Sequence, residues 1–61
     1  MPLIRIEMFE GRSREQKKEL VQAVTRETAR VLNCGEDAVD IILAEVKRED
    51  WATAGTFWSE R

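Results

Sequence analysis

Only two kinds of group in this chain have ordinary pKa values close to neutrality. A cysteine thiol titrates near 8.5 and a chain-terminal amine near 8, roughly, and Cys34 is the one thiol in the sequence. The chain contains no His and no Tyr, so the side chains that most often move protons at neutral pH are missing. An enzyme built on this chain must therefore use the thiol, the terminal amine, or a strongly perturbed carboxylate or lysine.

Pro2 makes the terminal amine the stronger candidate of the two. Methionine is commonly trimmed when a small residue follows it, and trimming of Met1 would leave a secondary amine. Such an amine is a good base when neutral, and an apolar pocket or a nearby cation favours its neutral form. Retention of Met1 would turn the nitrogen into a non-basic amide, and Pro2 also suits the plain role of first residue in a strand.

Cys34 is better suited to structure than to chemistry. It is the only cysteine and no histidine is present, so a disulfide within the chain is excluded, and a structural zinc site with nitrogen and sulfur ligands is nearly excluded. The residue also follows a predicted helix C-terminus, whose dipole disfavours a thiolate. We expect no bound metal.

Hydrophobic spacing predicts two strands around one helix. Residues alternate over Leu3–Phe9, with Ile4, Ile6 and Met8 on one face, which is typical of a strand. Val39–Val46 is a mostly apolar run and predicts a second strand covered on both faces.

The intervening helix is predicted from about residue 14 to about residue 32. Ser13 and Gln16 have the spacing of a capping box, and Asn33 or Gly35 suits the left-handed position at the other end. Glu27 falls inside the apolar arc of the helix and should need a partner. The arc otherwise consists of Leu20, Val21, Ala23, Val24, Thr28, Val31 and Leu32.

Together these elements predict an α+β fold, in which a single β-α-β unit with parallel strands is followed by a short C-terminal hairpin around Gly55. Residues 1–61 should form one domain. Because a two-stranded sheet with one helix cannot cover its second face, we expect the open sheet edges to join chains into dimers and higher oligomers.

The composition of the chain limits the classes of partner that we expect it to bind. Ten basic and twelve acidic residues give a net charge of −2, which argues against nucleic acid. No apolar run approaches the roughly 20 residues that span a bilayer, so no membrane partner is expected. One free thiol and the lack of a targeting pattern favour the cytoplasm.

The order of motifs resembles the 4-oxalocrotonate tautomerase family. The similarity begins at residues 2–6 (PLIRI), continues through 10–13 (EGRS) and 15–17 (EQK), and extends over essentially the whole chain. What the resemblance implies is a tautomerase without cofactors, assembled as a hexamer of three dimers, with sites built from more than one subunit. Its substrate would be a small carboxylate, a 2-hydroxydienoate or enol acid, that is converted to the conjugated keto acid.

Three site residues follow from the resemblance. Pro2 matches the catalytic proline that acts as general base, Arg12 matches an arginine that binds a substrate carboxylate, and Trp51 takes the place of a pocket aromatic. Asp40 stands where the family has a second catalytic arginine, and its charge repels a dianionic substrate. Removing one such donor typically costs about 100- to 1000-fold in rate.

The missing arginine leaves alternatives open. Arg5, Arg48 or Arg61 could replace it in space. A non-catalytic oligomeric homologue, and a dehalogenase or decarboxylase on the same scaffold, also fit the sequence.

Overall fold

The computed structural model describes residues 2–61, and its architecture is the predicted α+β unit. Two long strands flank one helix, and a small hairpin follows them, joined by short 3₁₀ turns. The elements are β1 (Leu3–Phe9), α1 (Arg14–Leu32), β2 (Asp40–Val46), β3 (Ala52–Thr53) and β4 (Thr56–Phe57), with 3₁₀ turns at Glu36–Ala38, Arg48–Asp50 and Trp58–Glu60.

β1 and β2 pair in parallel, with Leu3 opposite Asp40 and Phe9 opposite Val46. β2 begins one residue later than predicted. The Val39 amide donates to the carbonyl of Glu36 at 3.1 Å and closes the 3₁₀ turn, whereas the Asp40 amide donates to the carbonyl of Pro2 at 3.0 Å. The backbone hydrogen bond of Val39, rather than its side chain, therefore decides where the strand starts.

Both ends of α1 use the predicted caps. The Gln16 amide donates to Ser13 Oγ and the Ser13 amide to Gln16 Oε1, each at 3.1 Å, which completes the capping box. At the other end Asn33 takes the left-handed conformation, with φ 54°, and the Cys34 amide donates to the carbonyl of Ala29 at 3.1 Å. This choice of Asn33 resolves the alternative with Gly35, whose backbone is extended.

Glu27 has the partner that its position in the apolar arc requires. Arg30 Nε donates to Glu27 Oε2 at 3.1 Å. This hydrogen bond lowers the pKa of Glu27 below its ordinary value. Both side chains are exposed, so the pair belongs to the surface of the helix.

One sheet face packs on the helix and the other is open. Ile4, Ile6 and Met8 share one face, as predicted, and are half-buried; the register places them on the side of Glu45, whose carboxylate pairs with Lys17 of α1. On the opposite face Leu3 is 62% exposed and Ile42 43% exposed. Among residues 2–61 only Ala29 is buried, at 8% exposed, so a single chain encloses almost no core and does not itself provide the second cover predicted for β2.

The hairpin between β3 and β4 contains a strained residue. Ala54 and Gly55, with φ 53° and 79°, form a two-residue connection with both positive φ values of a type I′ turn. Alanine is poorly suited to the first position because its Cβ disfavours the left-handed region.

Ala54→Asn should therefore stabilise the protein by about 0.5–1 kcal/mol, because asparagine tolerates that region. Urea unfolding at a fixed protomer concentration measures the effect. Ala52→Asn is the matched control, since Ala52 is exposed and lies in β3. Equal stabilisation by both substitutions would contradict the turn argument.

Candidate active site

Pro2 lies at the amino end of β1 and is half-buried. Its carbonyl accepts the Asp40 amide at 3.0 Å, so the first residue of β2 is held directly beside it. The Asp40 side chain is exposed. Met1, whose removal would free the Pro2 nitrogen, lies outside the described residues.

Arg12 lies beyond the carboxyl end of β1, in the turn that leads to α1. Gly11 has φ 115°, a conformation open mainly to glycine, and this bend turns the chain back toward the strand. Arg12 Nη1 then donates to the carbonyl of Phe9 at 3.3 Å. The guanidinium remains exposed, which leaves further N–H groups for a ligand.

A salt bridge close to this turn holds the first part of α1 against β2. Lys17 Nζ lies 2.8 Å from Glu45 Oε1 and joins α1 to the end of β2. The Lys17 hydrogen bond is the main reason that the pKa of Glu45 is lowered, and the Gly11 amide and the Arg12 charge act in the same direction. These groups therefore form one electrostatic cluster around the Arg12 turn.

Trp51 packs in an aromatic cluster centred on Phe9. The Phe9 ring lies 4.6 Å from the Trp51 ring and 5.5 Å from the Trp58 ring, centroid to centroid. The Trp58 amide donates to the Trp51 carbonyl at 2.9 Å, and Trp58 Nε1 donates to Thr53 Oγ1 at 3.0 Å. The hairpin thus holds both tryptophans over the end of the sheet.

Trp51 is half-buried and borders an open cavity of about 260 Å³. The other residues around this cavity are Glu7, Val46, Asp50 and Ala52. An apolar wall next to an opening is the setting predicted for Trp51, and its contact with substrate stays a prediction.

The structure brings Arg12 and Trp51 together but leaves Pro2 apart from them. Both Arg12 and Trp51 contact Phe9, whereas Pro2 precedes the other end of the seven-residue strand. At about 3.3 Å per residue, the strand separates Pro2 from Phe9 by roughly 23 Å. The three predicted site residues therefore do not meet within one chain.

Phe9 is the residue that sequence reasoning did not single out. Phe9 ends the alternating strand, and it is half-buried. Arg12, Trp51 and Trp58 all contact it. The signal available in the sequence was an aromatic directly before the 10–13 motif (EGRS).

Comparison with known proteins gives the family. The profile of tautomerase enzymes matches residues 2–61. The chain belongs to the tautomerase family. The tautomerase fold also recurs in solved structures: a 4-oxalocrotonate tautomerase homologue is 36% identical, with a TM-score of 0.92 over 100% of this chain and 97% of that one.

Two further relatives of this family member carry more specific names. The 2-hydroxymuconate tautomerase of Bacillus subtilis is 33% identical over 55 residues, which are 90% of this chain and 89% of that protein. A heterohexameric 4-oxalocrotonate tautomerase of Chloroflexus aurantiacus is 38% identical, with a TM-score of 0.94 over 98% and 97% of the two chains.

Within residues 2–61 no helix combines the length and apolar character needed to cross a bilayer.

Proposed function

We propose that this tautomerase converts a small 2-hydroxydienoate or enol acid to its conjugated keto form, with Pro2 as the general base. Pro2 would take a proton from the substrate and return it at a distant carbon, so the proton count is unchanged and no cofactor is needed. The observation that carries the proposal is the tautomerase match, which begins at Pro2 itself. The loss of Met1 is required, because only then is the ring nitrogen an amine.

A second chain is needed to complete this site. β1 has an open edge in the two-stranded sheet, and a two-fold related copy would pair with that edge in antiparallel fashion. Neighbouring strands lie about 4.8 Å apart, so Pro2 of one chain would lie beside the Phe9 end of its partner. The exposed Leu3 and Ile42 are apolar surface that such an assembly would cover.

The two ends of β1 then supply complementary groups. Arg12 of one chain offers a planar pair of N–H donors that suits a substrate carboxylate. The same positive charge disfavours the ammonium form of the Pro2 amine of the other chain, and Trp51 keeps water away from it. Together these effects favour a neutral proline nitrogen, which is the form that accepts a proton.

We further propose a homo-oligomer, a hexamer of three dimers, in the cytoplasm. The Chloroflexus aurantiacus relative is a heterohexamer, which supports six subunits of this fold. The near absence of buried residues within one chain also favours a large assembly.

The direct test is ketonisation of phenylenolpyruvate, followed by its ultraviolet absorbance. We expect turnover well above the buffer rate from protein whose intact mass lacks one methionine. Protein of the shortened mass without turnover would contradict the proposal. A full-length mass without turnover would instead favour the non-catalytic homologue.

A hydrolytic dehalogenase or decarboxylase is the second candidate. The observation that favours it is the position of Asp40. Its backbone amide donates a hydrogen bond to the Pro2 carbonyl, and its carboxylate could activate water. Release of halide from a 3-haloacrylate, or of carbon dioxide from a 3-oxo acid, distinguishes these activities from tautomerisation.

A further inference from the structure

A second guanidinium group lies at the Arg12 end of the sheet. The Arg48 Cζ atom lies 4.6 Å from the centroid of the Phe9 ring, and the carbonyl of the same Phe9 accepts Arg12 Nη1. Phe9 is therefore held between two arginines, one on its ring and one on its backbone. Arg48 also begins the 3₁₀ turn that leads directly to Trp51, which fixes Arg48, Arg12 and Trp51 around one residue.

Both guanidinium groups are available to an anion. The ion pairs closer than 4.0 Å among residues 2–61 use Lys17, Arg30 and Lys47 as their cations, so Arg12 and Arg48 have no carboxylate partner there. A guanidinium that lies over an aromatic face is held there by its charge, and its N–H groups can still donate to a carboxylate. Arg48 is exposed, so the aromatic contact restrains it without enclosing it.

We propose that Arg48 supplies the second positive charge of the site and binds the second anionic group of a dicarboxylate substrate, while Arg12 binds the first. This inference rests on the proposed tautomerase function. Arg48 would compensate for the aspartate at position 40, where the family has an arginine. A dianionic substrate that the Asp40 carboxylate repels needs two cations to bind it. The preferred substrates are accordingly small unsaturated dicarboxylates rather than monocarboxylates.

The other two candidate arginines, Arg5 and Arg61, are less well placed to bind this second anionic group. Arg5 lies in the middle of β1, about 13 Å from Phe9 at 3.3 Å per residue. Arg61 stacks on Trp58 at 4.7 Å, and its Nη2 already donates to the carbonyl of Thr53 at 2.8 Å. Arg61 thus provides a matched control, since it makes a similar aromatic contact in the same cluster.

The test compares 2-hydroxymuconate, a dicarboxylate, with phenylenolpyruvate, a monocarboxylate. For Arg48→Ala we expect the ratio of kcat/KM values, dicarboxylate over monocarboxylate, to fall roughly 10- to 100-fold, the size of a lost charged hydrogen bond. The loss should lie mainly in KM. Arg48→Lys should recover much of the ratio because it keeps the charge, and Arg61→Ala should leave the ratio within about threefold of the parent.

Arg48→Gln guards against a folding defect, because its planar amide can still cover the Phe9 ring without the charge. It should lower the ratio as Arg48→Ala does. An unchanged ratio in Arg48→Gln, or an equal fall in Arg61→Ala, would overturn the role of Arg48. A parent enzyme that turns over the monocarboxylate but not the dicarboxylate would overturn it too while leaving the tautomerase proposal intact, whereas inactivity on both substrates would contradict the tautomerase proposal itself.

Discussion

Pro2→Ala should lower kcat/KM for phenylenolpyruvate roughly 10²- to 10⁴-fold, the usual contribution of a positioned general base. The sequence offers no histidine or tyrosine to take over the proton. Alanine at position 2 should still allow removal of Met1, so the variant retains a primary amine and a small residual rate. Stopped-flow or steady-state ultraviolet assays of the variant and the parent measure the loss.

A second variant tests whether the proline nitrogen must be a free amine, because it keeps the proline ring and blocks only the nitrogen. Insertion of a lysine between Met1 and Pro2 keeps the proline but acylates its nitrogen, and it should be at least as inactive as Pro2→Ala. Intact mass and size-exclusion chromatography verify the chain end and the assembly. Full activity in the lysine-inserted protein would show that the amine is not the base.

Local sequence patterns were sufficient to predict most of the fold. The alternation of Ile4, Ile6 and Met8 predicted the strand and placed these three residues on one face of β1, and the spacing of Ser13 and Gln16 predicted the start of α1. Each depends on contacts between residues close in sequence, or on a period that one face of the molecule imposes. The start of β2 was placed one residue early because Val39 has strand propensity but its amide is used by a turn.

The site was less predictable because its organising contacts are distant in sequence. Phe9 meets Trp51, Trp58 and Arg48 across more than 38 residues of chain, and no periodicity encodes such a meeting. The fold of one chain also cannot join Pro2 to Arg12, because β1 lies between them. Resemblance to the family named three candidate site residues, and the structure places only two of them, Arg12 and Trp51, at the same end of the sheet.

This separation changes what a single substitution means. Pro2 and Asp40 occupy one end of the parallel pair, and Arg12 and Arg48 occupy the other. An antiparallel dimer would therefore bring a proton acceptor and a carboxylate from one chain against two guanidinium groups from its partner.

Mixed oligomers of Pro2→Ala and Arg12→Ala chains should regain activity that neither variant has alone. Arg12→Ala by itself should lose about 100-fold or more, since it removes a charged donor to the substrate. If each site takes Pro2 from one chain and Arg12 from another, random mixing of equal amounts restores about a quarter of the sites. The two variants are unfolded together, refolded and assayed with phenylenolpyruvate.

The control replaces the Arg12→Ala chain by the double variant Pro2→Ala/Arg12→Ala, which has no proline to contribute and should give no recovery when mixed with Pro2→Ala. Native mass spectrometry establishes that both mixtures contain hybrid assemblies. Hybrid assemblies of the two single variants that remain inactive would mean that Pro2 and Arg12 do not act in one shared site. Recovery near a quarter of the parent rate would be difficult to obtain in any other way, because Pro2 and Arg12 of one chain lie at opposite ends of β1.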